Sequence, residues 1–369
     1  MRMLVTGGGG FIGSHLVDRL VREGHRVRVY DNFDEQVHGK KKPAYLNSEA
    51  EYIKADVRDR NRLKKALNKI DVAFHQAAAV GIGQSMYQIE KYVDANAKGT
   101  AVLLDILVNE RNSIKKLIVA SSMSIYGEGS YVCQNCGEIE PSLRPLKQLK
   151  ERNWEMRCLA CGIEAKPVPT KESKKLLPTS IYAMTKFNQE EYCLLIGRTY
   201  KIPTVALRYF NVYGPRQALS NPYTGVCAIF SSRIKAGHQP LIYEDGLQSR
   251  DFVHVKDIVE ANTLVLDKTE ADYSVFNVGT GQPTTILEIA NILIKLYGKN
   301  ITPKIVNKYR VGDIRHCYSD ISSIRSIGFR PSVDLKTGLK ELVEWAKSEI
   351  AKDKTLIAER ELERRKLKL

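Results

Sequence analysis

The chain opens Met1-Arg2-Met3-Leu4-Val5-Thr6-Gly7-Gly8-Gly9-Gly10-Phe11-Ile12-Gly13, and no other stretch constrains the fold as much. Arg2 to Thr6 reads as a buried strand, and Phe11, Ile12, His15, Leu16 and Leu20 follow it at helical spacing. Gly7, Gly10 and Gly13 occupy the turn between strand and helix. Having no Cβ, they permit a tight turn and let a pyrophosphate approach the amides and positive dipole where the helix starts, beside Phe11 and Ile12. The next apolar run, Arg26 to Tyr30, ends in Asp31-Asn32. An acid at that point accepts hydrogen bonds from a ribose 2′-hydroxyl and repels a 2′-phosphate, which favours NAD over NADP.

Further strands are expected at 51–54, 71–76, 115–121 and 204–208, with helices at 60–68, 84–109 and 181–199. This alternation predicts an α/β chain whose residues 1–210 form a Rossmann-type, doubly wound parallel sheet. Residues 128–178 break the rhythm, being rich in Pro, Lys and Cys, and read as an insertion. Residues 211–350, with a helix at 285–297, suit a smaller α+β substrate lobe, some segments of which return to the first domain. From Leu335 onward the chain reads as one long charged helix. Residues 351–369 are its C-terminal part, a solvated face with pairs such as Glu361 and Arg365 at i,i+4.

At 369 residues and 43% hydrophobic, the chain can bury a full core. The net charge of +15 is interleaved along the sequence, and the run Lys40-Lys41-Lys42 reads as a solvated loop, so nucleic acid is a disfavoured partner. No apolar run approaches the roughly 20 residues of a membrane helix. A strand beginning at Arg2 leaves no room for a signal peptide, and a cytoplasmic protein without membrane association is expected.

Four of the seven cysteines form two knuckles, Cys133-Gln134-Asn135-Cys136-Gly137 and Cys158-Leu159-Ala160-Cys161-Gly162. Four thiolates close a tetrahedral zinc shell and leave no open position, so the expected zinc is structural; iron in the same shell or a redox dithiol remain alternatives. A segment so poor in apolar residues needs the metal to fold. Because it joins Ser122 to Tyr182, it is expected to form a rigid wall or lid over the substrate. A partner surface using Arg152, Trp154 and Arg157 is the alternative.

Tyr182-Ala183-Met184-Thr185-Lys186 places a phenol and an ammonium on one helix face. A free tyrosine, with a pKa of about 10, is a poor base at neutral pH, and a neighbouring Lys⁺ favours its phenolate. His75 reads as a packed strand-end residue rather than a catalyst.

Taken with Ser121-Ser122-Met123-Ser124-Ile125-Tyr126-Gly127, these motifs resemble the extended short-chain dehydrogenase/reductase superfamily and its nucleotide-sugar epimerase/dehydratase branch, over essentially the whole chain apart from the insertion. The resemblance implies Ser122, Tyr182 and Lys186 as catalytic residues, with Ser122 bonded to the reacting sugar oxygen and Ser124 a nearby substrate contact. It implies NAD contacts from Asp56, Val57, Ala77, Ala78, Ala79, Ser121 and Tyr209, with Asn96 bracing the strand ends. In Arg208-Tyr209-Phe210-Asn211-Val212-Tyr213-Gly214-Pro215-Arg216 it gives Asn211 a hold on a nucleoside diphosphate shared with Arg250 and Arg310, whose planar forks suit that group. Cys317 falls where UDP-galactose-type 4-epimerases carry a residue limiting sugar size; a buried structural cysteine is the competing reading. The implied reaction is oxidation and re-reduction at one sugar carbon, C4, through a 4-keto intermediate.

Related 4,6-dehydratases carry an Asp-Glu pair where this chain has Met123-Ser124, which disfavours dehydration. The insertion and the stretch 214–223 are similar to dTDP-L-rhamnose 4-epimerases, with UDP-glucose/galactose enzymes a close rival. A rival of another class is a non-enzymatic NAD-sensing or zinc-ribbon interaction protein, which the intact Ser122, Tyr182 and Lys186 oppose. The family also implies a homodimer through the helices near 84–109 and 181–199.

Overall fold

The computed structural model describes residues 1–40 and 42–368, so Lys41 of the basic loop and Leu369 of the tail lie outside it. A seven-stranded parallel sheet forms the centre, from β1 (Arg2–Thr6), β2 (Arg26–Asp31), β3 (Glu51–Lys54), β4 (Val72–His75), β5 (Lys116–Ser122), β6 (Thr204–Tyr209) and β7 (Val275–Val278), in the order β7-β6-β5-β4-β1-β2-β3. Its strands read as apolar runs because both faces are covered. In β1, Met3 and Val5 pack into one core and Leu4 into the other; Ile118 and Ala120 of β5 likewise oppose Leu117 and Val119. Pairing in register brings Thr6 level with Tyr30 and His75, and Ser122 level with Tyr209, so the carboxyl ends of these strands open on one edge.

Helix α1 (Phe11–Arg22) follows β1, and α2 (Ile181–Tyr200) crosses beside β5. The expected single helix over 84–109 is instead two short turns, Ile82–Ser85 and Ile89–Tyr92, a π-helical turn Val93–Lys98, and a regular helix Gly99–Asn109. The wide turn carries Asn96, which pins Ala79 through both amide atoms and donates to Thr185 Oγ1 at 2.9 Å. Such turns trade regular helix bonds for placement of one side chain.

The lobe joins short strands Asn211–Tyr213, Ser249–His254, Pro283–Thr285 and His316–Cys317 to helices Val226–Lys235, Ile286–Leu296 and Leu335–Ser348 around its own core, which includes Phe230, Ile289, Leu293 and Leu339. The expected continuous tail helix is broken after Ser348. Lys235 Nζ donates to the carbonyls of Ala346, Lys347 and Glu349, and Asp353 is drawn to Arg233 at 3.0 Å. Helix α3 (Thr355–Arg364) then turns back over the molecule.

The insertion has structure of its own. Ser130–Cys133 pairs antiparallel with Gly137–Ile139 on one side and with Lys166–Val168 on the other, over a small core of Tyr131, Met156 and Ala165.

Candidate active site

A cleft of about 670 Å³ runs from the glycine turn, past the ends of β4 and β5, into the lobe. At one end Gly7 has φ 69°, and a Cβ on Gly13 would lie 2.2 Å from the Gly7 carbonyl oxygen, so the turn closes only on glycine. Gly10 caps α1 with no side-chain bond, which leaves the first amides of that helix facing the cleft, which Gly7, Gly10, Phe11, Ile12 and Gly13 all line. Asp31 and Asn32 line the same end. The Asp31 carboxylate accepts from Gly9 N at 2.9 Å and Phe33 N at 2.8 Å, which fixes its direction. Asp56 and Val57 line the far side, and bonds from Arg58 hold the Asp56 carboxyl down at about 2.

At the centre, Ser122 ends β5 and accepts from Ser124 Oγ at 3.0 Å; Ser121, Ser122 and Ser124 all line the cleft, and Ser121 Oγ is buried without a protein partner. Ser180 caps α2 by accepting from Ala183 N at 3.1 Å, and Ser85 Oγ accepts from Tyr182 N at 3.0 Å, which sets the first turn against the cleft. Burial raises the Tyr182 phenol, while a hydrogen bond with Ser122 pulls it back down. Lys186 donates to Ala120 O and, at 2.9 Å, to Gln189 Oε1. Burial brings its ammonium down to about 8, against the opposing pull of Cys193 and Glu190. A lysine so placed holds or yields a proton near neutral pH beside the phenol. Ala77, Ala78, Ala79 and Tyr209 complete this wall. His75 bridges Thr6 Oγ1 at 2.8 Å and Thr100 Oγ1 at 2.9 Å beneath it, and burial together with Lys186 drives its pKa to about 3.

At the lobe end, Asn211, Arg250 and Arg310 line the cleft, and Asn211 Oδ1 is buried with no protein donor. Arg310 pairs with Asp313 at 2.8 Å and lies 4.7 Å above the Tyr243 ring centre.

Two of the residues named from the sequence do not line the cleft, and one of them, Asn96, is the expected brace of a strand end. Asn96 is fully buried behind Ala79 and reaches the cleft only through that strand end. Cys317 is 1% exposed and points toward Thr170, its Sγ 3.8 Å from Oγ1, because the strand His316–Cys317 pairs with Ser249–Arg250 and turns that side chain inward. The buried structural role therefore replaces the size-limiting one.

The expected wall or lid is also overturned, since no residue of 128–178 lines the cleft. The insertion instead grips the lobe and the sheet beside it, where Thr170 bridges to Ser319 and Glu172 accepts from Arg208 and from Asn277 N. Its four sulfurs, Cys133, Cys136, Cys158 and Cys161, lie within 4.8 Å of one another as free thiols. Backbone amides of Cys161 and Ala160 bring the Cys158 thiol down to about 7, whereas bonds with Cys161 and Cys158 push Cys136 up to about 12. Sulfurs so crowded cannot all ionise unless a cation lies among them, and the donor set fits zinc.

The tail is not the solvated face expected of it. Ala358, Glu359 and Leu362 of α3 line the cleft, Glu359 bonds the Tyr243 hydroxyl and Lys368, and Val311 N donates to Leu367 O at 3.0 Å. The tail thereby crosses from the Arg310 loop to Gly83 and Tyr87, over whose ring Arg365 lies at 4.2 Å. Leu362 and Ala358 at i,i+4 were the available sequence signal for a buried stripe in this helix.

A doubly wound sheet with a glycine turn, a strand-end serine and a helical Tyr-x-x-x-Lys defines the short-chain dehydrogenase/reductase class. Within it the chain belongs to the NAD dependent epimerase/dehydratase family, whose sequence model matches residues 3–148 and 160–279 and is interrupted only inside the insertion. It is 33% identical over 353 residues to a dTDP-L-rhamnose 4-epimerase from Burkholderia thailandensis, covering 95% of this chain and 96% of that one. Among solved structures, a UDP-glucose 4-epimerase from Thermotoga maritima with UDP-glucose matches at TM-score 0.76 and 31% identity, covering 94% of this chain and 99% of that one. A UDP-N-acetylglucosamine 4-epimerase from Methanobrevibacter ruminantium, solved with UDP-N-acetylmuramic acid, matches at 0.77 and 34%, covering 95% and 99%.

Proposed function

We propose that this chain is an NAD-dependent nucleotide-sugar 4-epimerase acting on a UDP- or dTDP-hexose. The observation that carries this reading is the convergence of Ser122, Tyr182 and Lys186 at the middle of one cleft, with a dinucleotide turn at one end and Asn211, Arg250 and Arg310 at the other. Bound NAD⁺ supplies the oxidant for C4 and returns the same two electrons in the reverse step. The cradle fits it, since a Cβ at Gly13 would fill the space that the turn needs, and α1 offers uncapped amides to a pyrophosphate. Tyr182 Oη takes the proton from the C4 hydroxyl, with Ser122 bonded to the same oxygen and the Lys186 charge favouring the phenolate. A 4-keto sugar results. Asn211, Arg250 and Arg310 hold the diphosphate while the ketose presents its other face, and Tyr182 returns the proton. Met123 and Ser124 beside Ser122 provide no carboxyl to expel water, so the ketone is re-reduced rather than dehydrated.

In the same proposal the four-cysteine cluster holds a structural zinc, and the protein resides in the cytoplasm, where thiols stay reduced. It pairs as a homodimer through exposed apolar groups on neighbouring helices: Met184, Tyr192 and Leu195 on α2, and Ile89 and Val93.

The test is NMR of the purified protein, without added cofactor, against UDP-, dTDP-, GDP- and CDP-hexoses. One sugar should convert to its 4-epimer, and Tyr182→Phe should keep its NAD while losing activity by about 10²–10⁴-fold. A 4-keto-6-deoxy product, or no conversion in a protein that binds NAD, would refute the proposal.

A further inference from the structure

Arg250 is held in an uncommon way. Its Nη1 donates to the carbonyls of Ser249 and Arg315, both at 2.8 Å, and its Nη2 to that of Ile314 at 2.7 Å. These bonds use three of the five guanidinium N–H groups. The two that remain, on Nε and Nη2, share one edge and form the two-point fork that matches a phosphate. The direction of the fork is therefore set by the position of the 314–315 backbone.

That backbone is positioned by the insertion. Glu128 accepts from Arg315 N at 2.8 Å and His316 N at 2.8 Å, and is itself held by the Tyr131 hydroxyl at 2.7 Å, two residues before Cys133. The Arg315 side chain, wholly buried, donates through Nε to Glu155 at 3.0 Å and also meets Glu244 at 2.9 Å and Asp245 at 2.7 Å. His316 completes the clamp. Ser249 N donates to its Nδ1 at 3.2 Å, which leaves Nε2 to donate to the second oxygen of Glu155 at 3.0 Å. Glu155 immediately precedes the hairpin of the second knuckle, where Ala165 N bonds Met156 O and Cys158 N bonds Ile163 O, each at 2.8 Å. Arg144, also of the insertion, donates to Glu244 at 2.9 and 2.8 Å from its two terminal nitrogens.

We propose that Glu155 is a positioning residue for substrate binding: through Arg315 and His316 it fixes the carbonyls that aim the free edge of Arg250 at the nucleoside diphosphate. Closing the knuckle around its metal sets Glu155, and the insertion serves the cleft from behind. This rests on the reading of Arg250 as a diphosphate ligand given above.

The test uses the protein as isolated, with its NAD and metal contents measured, and follows binding of UDP and dTDP by calorimetry alongside epimerisation kinetics. Arg250→Ala should weaken binding on the order of 100-fold. Glu155→Ala should weaken it about tenfold and raise KM by the same factor, with kcat within about twofold and NAD and metal contents unchanged. Glu155→Gln, which keeps the size and one acceptor oxygen, should fall between; it carries the test if the alanine variant does not fold. Glu138→Gln, on an exposed strand of the same insertion, should match wild type. If both Glu155 variants bind like wild type while Arg250→Ala does not, the positioning role is wrong and the function stands. If Arg250→Ala also binds like wild type, or wild type binds neither nucleotide, the diphosphate reading itself fails. A fall in kcat at unchanged KM in the Glu155 variants would likewise overturn the proposal.

Discussion

The two ends of the cleft are built by different means. The cofactor end is a matter of backbone: the glycine turn, the uncapped start of α1 and the strand ends place amides and short side chains. The sugar end is a matter of side chains drawn from Glu244–Arg250, Arg310–His316 and the tail, braced from behind by the insertion through buried pairs such as Arg144–Glu244, which also joins Arg315. Backbone geometry tolerates little change but is encoded locally. A buried charge network is encoded nowhere in one stretch, and each member left without its partner is costly to the rest.

Breaking the cofactor end at one backbone atom should produce the largest effect. Gly13→Ala forces a Cβ to 2.2 Å from Gly7 O, and is expected to lose co-purifying NAD and about 1–3 kcal/mol of stability, read by absorbance of the denatured supernatant and by thermal melts. Removing residues 355–369 takes away Glu359 and Leu362 and frees the Arg310 loop. The truncated protein should keep its NAD and raise KM roughly tenfold, so that the damage stays at the sugar end.

The charge network should show itself through pH. Burial opposes ionisation of Glu155, but bonds from His316 and Arg315 outweigh it and hold the carboxyl at about 2, below its ordinary 4.5. A depressed carboxyl stabilises the fold fully above 4.5, and that contribution is lost as pH falls toward 2. Chemical denaturation at pH 6 and pH 3 should therefore show Glu155→Gln less stable at the higher pH and closer to wild type at the lower. The smallest effect expected is at the capping box of Thr285 and Glu288. Thr285→Ala should cost about 1 kcal/mol in melts while leaving NAD content and KM alone, which separates loss of lobe stability from loss of either cleft end.

The same contrast explains what was legible in the sequence. Strands β1 to β6 and the helices beside them announce themselves by apolar runs and helical periods, and the motifs at Gly7–Gly13, Ser122 and Tyr182–Lys186 fall where the sheet opens. The break at Asn96 was not legible, because helical spacing continues through 84–109 and the reason for the π turn is a contact with Ala79 and Thr185. The fate of the tail depended on Lys235 and Arg233, more than a hundred residues upstream. For Cys317 the linear motif left a substrate contact and a buried cysteine both open, and only the pairing with Arg250 turns it inward. The four cysteines were plain from their spacing, but not the buried bonds from Glu155 and Arg144 by which their segment holds Arg315 and Glu244.

The measurement that tests the account most directly uses a nucleotide hexose carrying deuterium at C4, with the purified protein and no added cofactor. Oxidation and re-reduction within one closed cleft predicts a 4-epimer that retains the deuterium at C4, with no net reduced nicotinamide released. Loss of the label to solvent, or its reappearance at another carbon beside a 4-ketone, would contradict it.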